Sequence, residues 1–310
     1  MTYRFLAATA LIGLAGCGAM KTMTEPEPPR GGMIAPAPAG PPMSPEALAQ
    51  HIRILSSDEF AGREPASGGE KLATDYVSQM FQKAGLSPGW HGQWLQPVPL
   101  LEATAIGDPG LTITGADGAK TYTYRDQEVM WTKRPRGDQT IASAPLVFVG
   151  YGVVAPEQNW NDYAGVDMHG KIAVILVNDP DFETPVGHPT TGKFGGKAMT
   201  YYGRWTYKYE EAGRQGAAGA IIIHETAPAA YPWAVVESSW TGPQFDTRRS
   251  GDGSDRAQVE GWIHTSTAAD IFKRANLNFA DLKAAAQKQN FHPVPMNLTG
   301  SIASRVPPAS

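Results

Sequence analysis

A histidine beside a glutamate at the end of an apolar run, "GAIIIHE" (Gly219–Glu225), is the first arrangement in this sequence that could do chemistry. Imidazole and carboxylate are zinc ligands, and strand ends are where such ligands are commonly displayed. A helical zinc site needs His-Glu-x-x-His, but His224-Glu225 is followed by Thr226-Ala227-Pro228 and the second histidine is absent. The other histidines, His51, His91, His169, His188, His264 and His292, form no His-x-Asp or His-x-Glu pair. His224 and Glu225 therefore read as scaffold, with the histidine hydrogen-bonded at a strand end, and no metal ligand or catalytic residue is expected in the chain. "GLSPG" (Gly85–Gly89) matches the Gly-x-Ser-x-Gly of a nucleophile elbow in its letters alone. That elbow needs a strand before the serine and a helix after it, whereas here a helix ends at Gly85 and a proline follows Ser87. Gly213, Gly216 and Gly219 of "GRQGAAG" fail as a phosphate loop for a similar reason, since they lie between a helix and the next strand. Asp58, Glu59, Arg63 and Glu64 share a loop before a helix N-terminus, a place for an anion, a neighbouring domain or a salt-bridged surface.

The elements around these residues are legible. Ser44 caps a helix with proline at its first position, running through "EALAQHIRILSS". "SGGE" offers a capping box from Ser67 to Glu70, and Leu72, Tyr76, Val77, Met80 and Phe81 then fall on one helix face as far as Gly85. "WLQPVPLL" holds two prolines and is restricted to an edge or irregular strand, and short strands joined by turns follow between 102 and 132. "PLVFVGYGVV", "KIAVILVND" and "GAIIIHE" are continuous apolar runs typical of strands buried on both faces. A helix through Tyr207 and Glu211 precedes the third run. "VEGWIHTS", two helices in "TAADIFKRA" and "FADLKAAAQKQ", and a last strand "VPMNLTGSI" complete an α/β (α+β) pattern.

With 310 residues, 42% hydrophobic, the chain can bury a real core, and its net charge of −4 carries no basic stripe, so no nucleic-acid partner is expected. Its start points to export. Arg4 precedes "FLAATALIGLAG", too short to span a bilayer, and the run ends in "LAGC" (Leu14–Cys17), which resembles the lipobox of bacterial lipoproteins. Cys17 is the sole cysteine, which suits lipid attachment and leaves no internal disulfide to form. Residues 1–16 are thus expected to be a signal peptide, and the proline- and glycine-rich 17–43 a tether from a lipid on Cys17. By resemblance to lipoprotein sorting, Gly18 after the cysteine favours the periplasmic face of the outer membrane.

Several segments, in order, resemble one family. "HIRILSSDEFAGREPASGGEKLATDYVSQMFQKAGLSP" with "GQWLQPVPL" is similar to the N-terminal segment of bacterial zinc aminopeptidases related to glutamate carboxypeptidase and the transferrin receptor. "LVFVGYGVVAPEQNWNDYAGVDMHGKIAVILVNDP" and "GKAMTYYGRWTYKYEEAGRQGAAGAIIIHE" resemble the protease-associated domain inserted in those enzymes. The resemblance implies a partial peptidase piece over 44–143, a protease-associated domain over 144–303 and a tail over 304–310. For a full-length member it implies two zinc ions held by His, Asp and Glu, a general-base Glu, and hydrolysis of an N-terminal peptide bond. In the family those ligands follow the protease-associated domain, so none is carried over here and the chain is expected to be the N-terminal portion of such a peptidase, truncated before its zinc centre and inactive by itself. The alternative is a lipid-anchored, non-catalytic module that binds a peptide or protein.

Overall fold

The computed structural model describes residues 44–134, 137–251 and 253–305; Cys17 and the segments expected as signal peptide and tether lie outside them. Two compact units divide at Gly85/Leu86. Among the described residues no helix is long and apolar enough to cross a membrane.

The first unit is a helical pair. Helix α1 (Pro45–Leu55) starts where Ser44 Oγ accepts the Ala47 amide (3.3 Å), and α2 (Gly68–Lys83) starts where Ser67 Oγ accepts from Glu70 N (3.2 Å). Glu70 reaches back as the capping box requires, but to the amide of Ala66 (2.6 Å), one residue earlier than the motif's usual partner. The acidic loop between the helices winds into a 3-10 turn, Asp58–Arg63, that buries Phe60. A methyl group on Gly69 would meet the Phe60 carbonyl at 2.2 Å, so glycine lets the turn sit on the start of α2. His51 Nδ1 and Tyr76 Oη, 2.6 Å apart, link α1 to α2.

The second unit is built on an eight-stranded sheet. Its elements in chain order are β1 (Leu100–Thr104), β2 (Gly110–Gly115), β3 (Gly118–Thr121), β4 (Glu128–Trp131), β5 (Gln139–Phe148), β6 (Val154–Ala155), β7 (Trp160–Asn161), β8 (Ile172–Leu176), α3 (Trp205–Arg214), β9 (Gly219–His224), α4 (Thr226–Ala229), α5 (Trp233–Trp240), β10 (Pro243–Thr247), β11 (Val259–His264), α6 (Thr265–Arg274), α7 (Phe279–Ala286) and β12 (Val294–Ser304). The order across the sheet is β3-β2-β12-β5-β8-β9-β11-β4, with β5, β8, β9 and β11 parallel and the rest antiparallel. The sheet therefore takes strands from both sides of residue 144. It also curls, bringing β4 at one edge within reach of β2 and β12.

Both faces of the parallel strands are covered, which is why their sequences read as unbroken apolar runs. Ile172, Val174 and Leu176 of β8 pack with Ile221 and Ile223 and with Ala268, Ile271 and Phe272 of α6. Ala173, Ile175 and Val177 face the other way, among Ile222, Trp262, Tyr209 and Ala212 of α3, and Val236 of α5. The run "PLVFVGYGVV" is not one strand. It turns after Phe148, where Gly150 holds a positive φ of 58° and a Cβ would meet Phe291 at 2.9 Å. A bulge in β12 falls at Asn297, also at positive φ. Helices α4 and α5, the short β6–β7 pair, and the ribbon in which β1 pairs antiparallel with β10 have no counterpart in the sequence reading.

Candidate functional site

A cleft of about 830 Å³ opens beside the β11–β4 edge of the sheet. Its floor comes from the register of that edge, which sets Trp131 of β4 directly opposite Glu260 of β11, so the two side chains share a face. Helix α3 contributes Trp205 and Tyr209, α5 contributes Trp240, and the β1–β10 ribbon supplies a wall through Leu101, Ala103 and Phe245.

The aromatic groups form one cluster. Trp131 stacks on Trp240, with ring centroids 3.8 Å apart and planes 3° from parallel, and meets Tyr209 edge-on at 5.4 Å. Trp205 stands edge-on to Trp240 at 4.7 Å. Tyr209 is fixed by donating to the Gly261 carbonyl (2.9 Å). That carbonyl belongs to a glycine whose Cβ would collide with Met130 Sδ at 2.2 Å, so the β4–β11 approach depends on the absence of a side chain.

The charges are mostly paired. Arg256 pairs with Asp246, and its carbonyl accepts from the Arg134 guanidinium (Nε, 3.0 Å). Arg214 pairs with Glu211 (2.7 Å). Lys133 Nζ lies 5.3 Å from the Trp205 ring centroid, 5.9 Å from that of Tyr209 and 3.5 Å from Glu260 Oε2. These are cation–π distances joined to an ion pair too long for a strong hydrogen bond. Glu260 is only 2% exposed, and its Oε2 has no hydrogen-bond partner. Burial pushes its carboxyl above the usual range, and Lys133 and Arg256 draw it back only in part. The indole N–H of buried Trp131 likewise has no acceptor. The cleft thus combines aromatic walls with one unmet acceptor and one unmet donor.

The residues singled out from sequence lie elsewhere. His224 ends β9, is 1% exposed, and holds the Tyr231 carbonyl through Nε2 (3.0 Å); burial lowers its pKa, which favours the neutral ring. Glu225 accepts from Lys283 (2.7 Å), which also pairs with Glu183 (2.6 Å). Both residues are thus engaged within the fold. Among the described residues no group of three or more His, Cys, Asp and Glu converges on a metal position, so the donor set does not fit the zinc pair implied by the resemblance. Ser87 is exposed in an irregular stretch after α2, with no strand before it. Gly216 ends α3 at positive φ and Gly219 opens β9. Arg63 is spent on the Leu55 carbonyl.

A second buried polar cluster knits the sheet's carboxyl end. Lys208 of α3, fully buried, donates to the carbonyls of Tyr151 (2.6 Å) and Asn178 (2.9 Å) near Asp162 and Asp179. Asp162 accepts from the Val153 amide (2.9 Å) and Trp160 Nε1 (2.7 Å), and Asp179 from the Thr200 amide (2.6 Å) and hydroxyl (2.7 Å). Burial lowers the lysine and raises Asp162. These bonds tie α3 to the loops that follow β5 and β8 and tie loop segments to one another, so the cluster is structural.

No family model matches the chain, and no curated protein does. Among solved structures it is similar to an aminopeptidase from Aneurinibacillus sp. strain AM-1, with TM-score 0.36 and 18% identity, covering 86% of this chain and 44% of that one. It is also similar to BSAP, a zinc aminopeptidase from Bacillus subtilis, with TM-score 0.31 and 14% identity, covering 83% of this chain and 43% of that one. A third likeness is to the psychrophilic subtilisin-like protease Apa1 from the Antarctic psychrotroph Pseudoalteromonas sp. AS-11, with TM-score 0.22 and 11% identity, over 62% of this chain and 45% of that one. The chain spans less than half the length of each. The likenesses are distant and concern the fold.

Proposed function

We propose that this chain is the N-terminal portion of an exported, lipid-anchored protein of the zinc aminopeptidase type, and that its second unit serves there as a peptide-recognition module. Cys17 carries the lipid in this reading, at the periplasmic face of the outer membrane. The observation that carries the recognition role is the cleft. A cavity of about 830 Å³ with aromatic walls and a few unmet polar groups is built like a ligand site. The β1–β10 ribbon along one wall offers backbone beside which an extended peptide can lie. The family resemblance of the flanking segments supports placing it in a peptidase. The two zinc ions expected of a full-length member find no ligand set among the described residues, and no hydrolytic step is assigned to them.

Hydrogen exchange on the full chain, with and without a mixture of random tetrapeptides at millimolar concentration, tests this. Peptide should slow exchange around Trp131–Lys133, along α3 and at Gln244–Asp246. Unchanged exchange at all three places overturns the recognition role.

A further inference from the structure

The chemistry of the cleft goes further than peptide binding in general. Its charged groups are not equally available. Arg256 is occupied by Asp246, and Arg214 by Glu211. Arg249 and Asp255 also line the cleft, and the unmet capacity among its buried side chains is an acceptor, Glu260 Oε2, at a site only 2% exposed, and a donor, Trp131 Nε1, on a residue 4% exposed. A buried carboxylate in aromatic surroundings is a cation receptor, because ring faces attract a cation while the carboxylate neutralises it. The structure already shows a cation in that position: the ammonium of Lys133, near Trp205 and Tyr209 and 3.5 Å from Glu260. Lys133 follows the last residue of β4 by two positions, and its ammonium meets Glu260 at 3.5 Å.

We propose that the cleft receives the primary ammonium of a peptide, by preference its N-terminal one. In this arrangement Glu260 is the counter-ion, Trp205 and Tyr209 face the cation, Trp131 Nε1 donates to the carbonyl of the first residue, and Lys133 is an internal occupant that the ligand displaces. The juxtaposition of Glu260 and Trp131 selects the terminus. Directly opposed residues on neighbouring strands have Cβ atoms about 5 Å apart, so the two side chains lie side by side on one face, where one ligand end can meet both. Leaving a buried acceptor and a buried donor without partners is costly, and a peptide N-terminus meets both needs at once. The inference rests on the peptide-recognition reading.

The test titrates the full chain with Ala-Ala-Gly amide, its N-acetylated form, and N-acetyl-Ala-Lys-Gly amide, by calorimetry and tryptophan fluorescence. The free-amine peptide should bind, acetylation should weaken it by about 10-fold or more, and Glu260→Gln should weaken it by a similar factor. Lys133→Ala, which removes the competitor, should tighten it. If Glu260→Gln does not fold, Trp205→Leu takes its place and should bring the free peptide down to the affinity of the acetylated one; no loss overturns the proposal. Equal binding of the free and acetylated Ala-Ala-Gly peptides overturns the ammonium receptor and leaves peptide recognition standing. Absence of binding by all three peptides overturns both. If the acetylated lysine peptide binds as tightly as the free terminus, the preference for the N-terminus is overturned and the cation received is a side chain's.

Discussion

Glu128 allows a sharp test of how the curled sheet is held together. It opens β4, is fully buried, and neither carboxylate oxygen has a hydrogen-bond partner. Burial pushes its pKa from 4.5 up to about 8, and the nearby Leu111 amide offsets only part of that. The folded protein therefore keeps this carboxyl protonated at neutral pH, while the unfolded chain ionises it above about pH 4.5. Between those values the folded state binds the extra proton, so stability falls as pH rises. The slope is about 1.4 kcal/mol per pH unit, amounting to roughly 4–5 kcal/mol lost by pH 8, beyond which the effect is constant. Glu128→Gln removes the titration and keeps the shape. Its amide adds an unmet donor, so the variant is expected to be no more stable than the parent at pH 5. From pH 5 to pH 8 the difference should swing by about 4 kcal/mol in favour of the variant. Urea unfolding followed by tryptophan fluorescence at pH 5, 6, 7 and 8 measures this, and since all 8 tryptophans lie beyond Gly85 the signal reports the second unit alone. A difference between parent and variant that stays flat across this range would refute the claim that Glu128 is held neutral by burial.

Three further outcomes are expected. Lys208→Met removes the donor to the Tyr151 and Asn178 carbonyls and strands Asp162 and Asp179, which should cost about 3–5 kcal/mol in urea unfolding at pH 7. Amides of α1 and α2 should exchange much faster than those of β8 and β9, because α1 buries no residue and α2 only Gly69 whereas β8 and β9 are buried throughout; equal protection in a monomer would refute this. Mass spectrometry of the mature N-terminus should find lipid on Cys17, and Cys17→Ser should release the protein in soluble form; an unmodified terminus cut elsewhere refutes the anchor.

What the sequence makes legible is what local periodicity encodes. The runs of β8 and β9 announce strands buried on both faces because neighbours cover each face with apolar groups, and the α2 cap is written in Ser67 and Glu70. Helix α5 escapes notice because "WAVVESSW" buries little more than Val236, leaving no clear stripe to read. The β1–β10 ribbon escapes because its pairing joins distant segments, and nothing in "LLEAT" names "PQFDT" as its partner. The cleft is hidden for both reasons at once. Trp131 and Glu260 meet only through the β4–β11 register, and their neighbours in α3 and α5 arrive from two other stretches of chain.

A local signal was nonetheless present in each buried polar site, and it is the same signal. Glu128 precedes "VMW", Lys208 interrupts "WTYKY", and Glu260 sits inside "VEGWI", each a charge placed where the apolar pattern leaves no room for one. Folding resolves the three differently. Lys208 finds carbonyls and becomes a tie between α3 and the loops after β5 and β8. Glu128 finds no hydrogen-bond partner beyond the weak pull of the Leu111 amide and, on the pKa given by its burial, stays protonated. Glu260 has a cation 3.5 Å away and lines a cleft of about 830 Å³. A charge fully bonded within the protein is scaffold, and one neutralised in a closed core only taxes stability. Of the three, Glu260 combines a need for a partner with a place in the lining of a cleft, which is why recognition is proposed there and not at the histidine and glutamate at the end of β9.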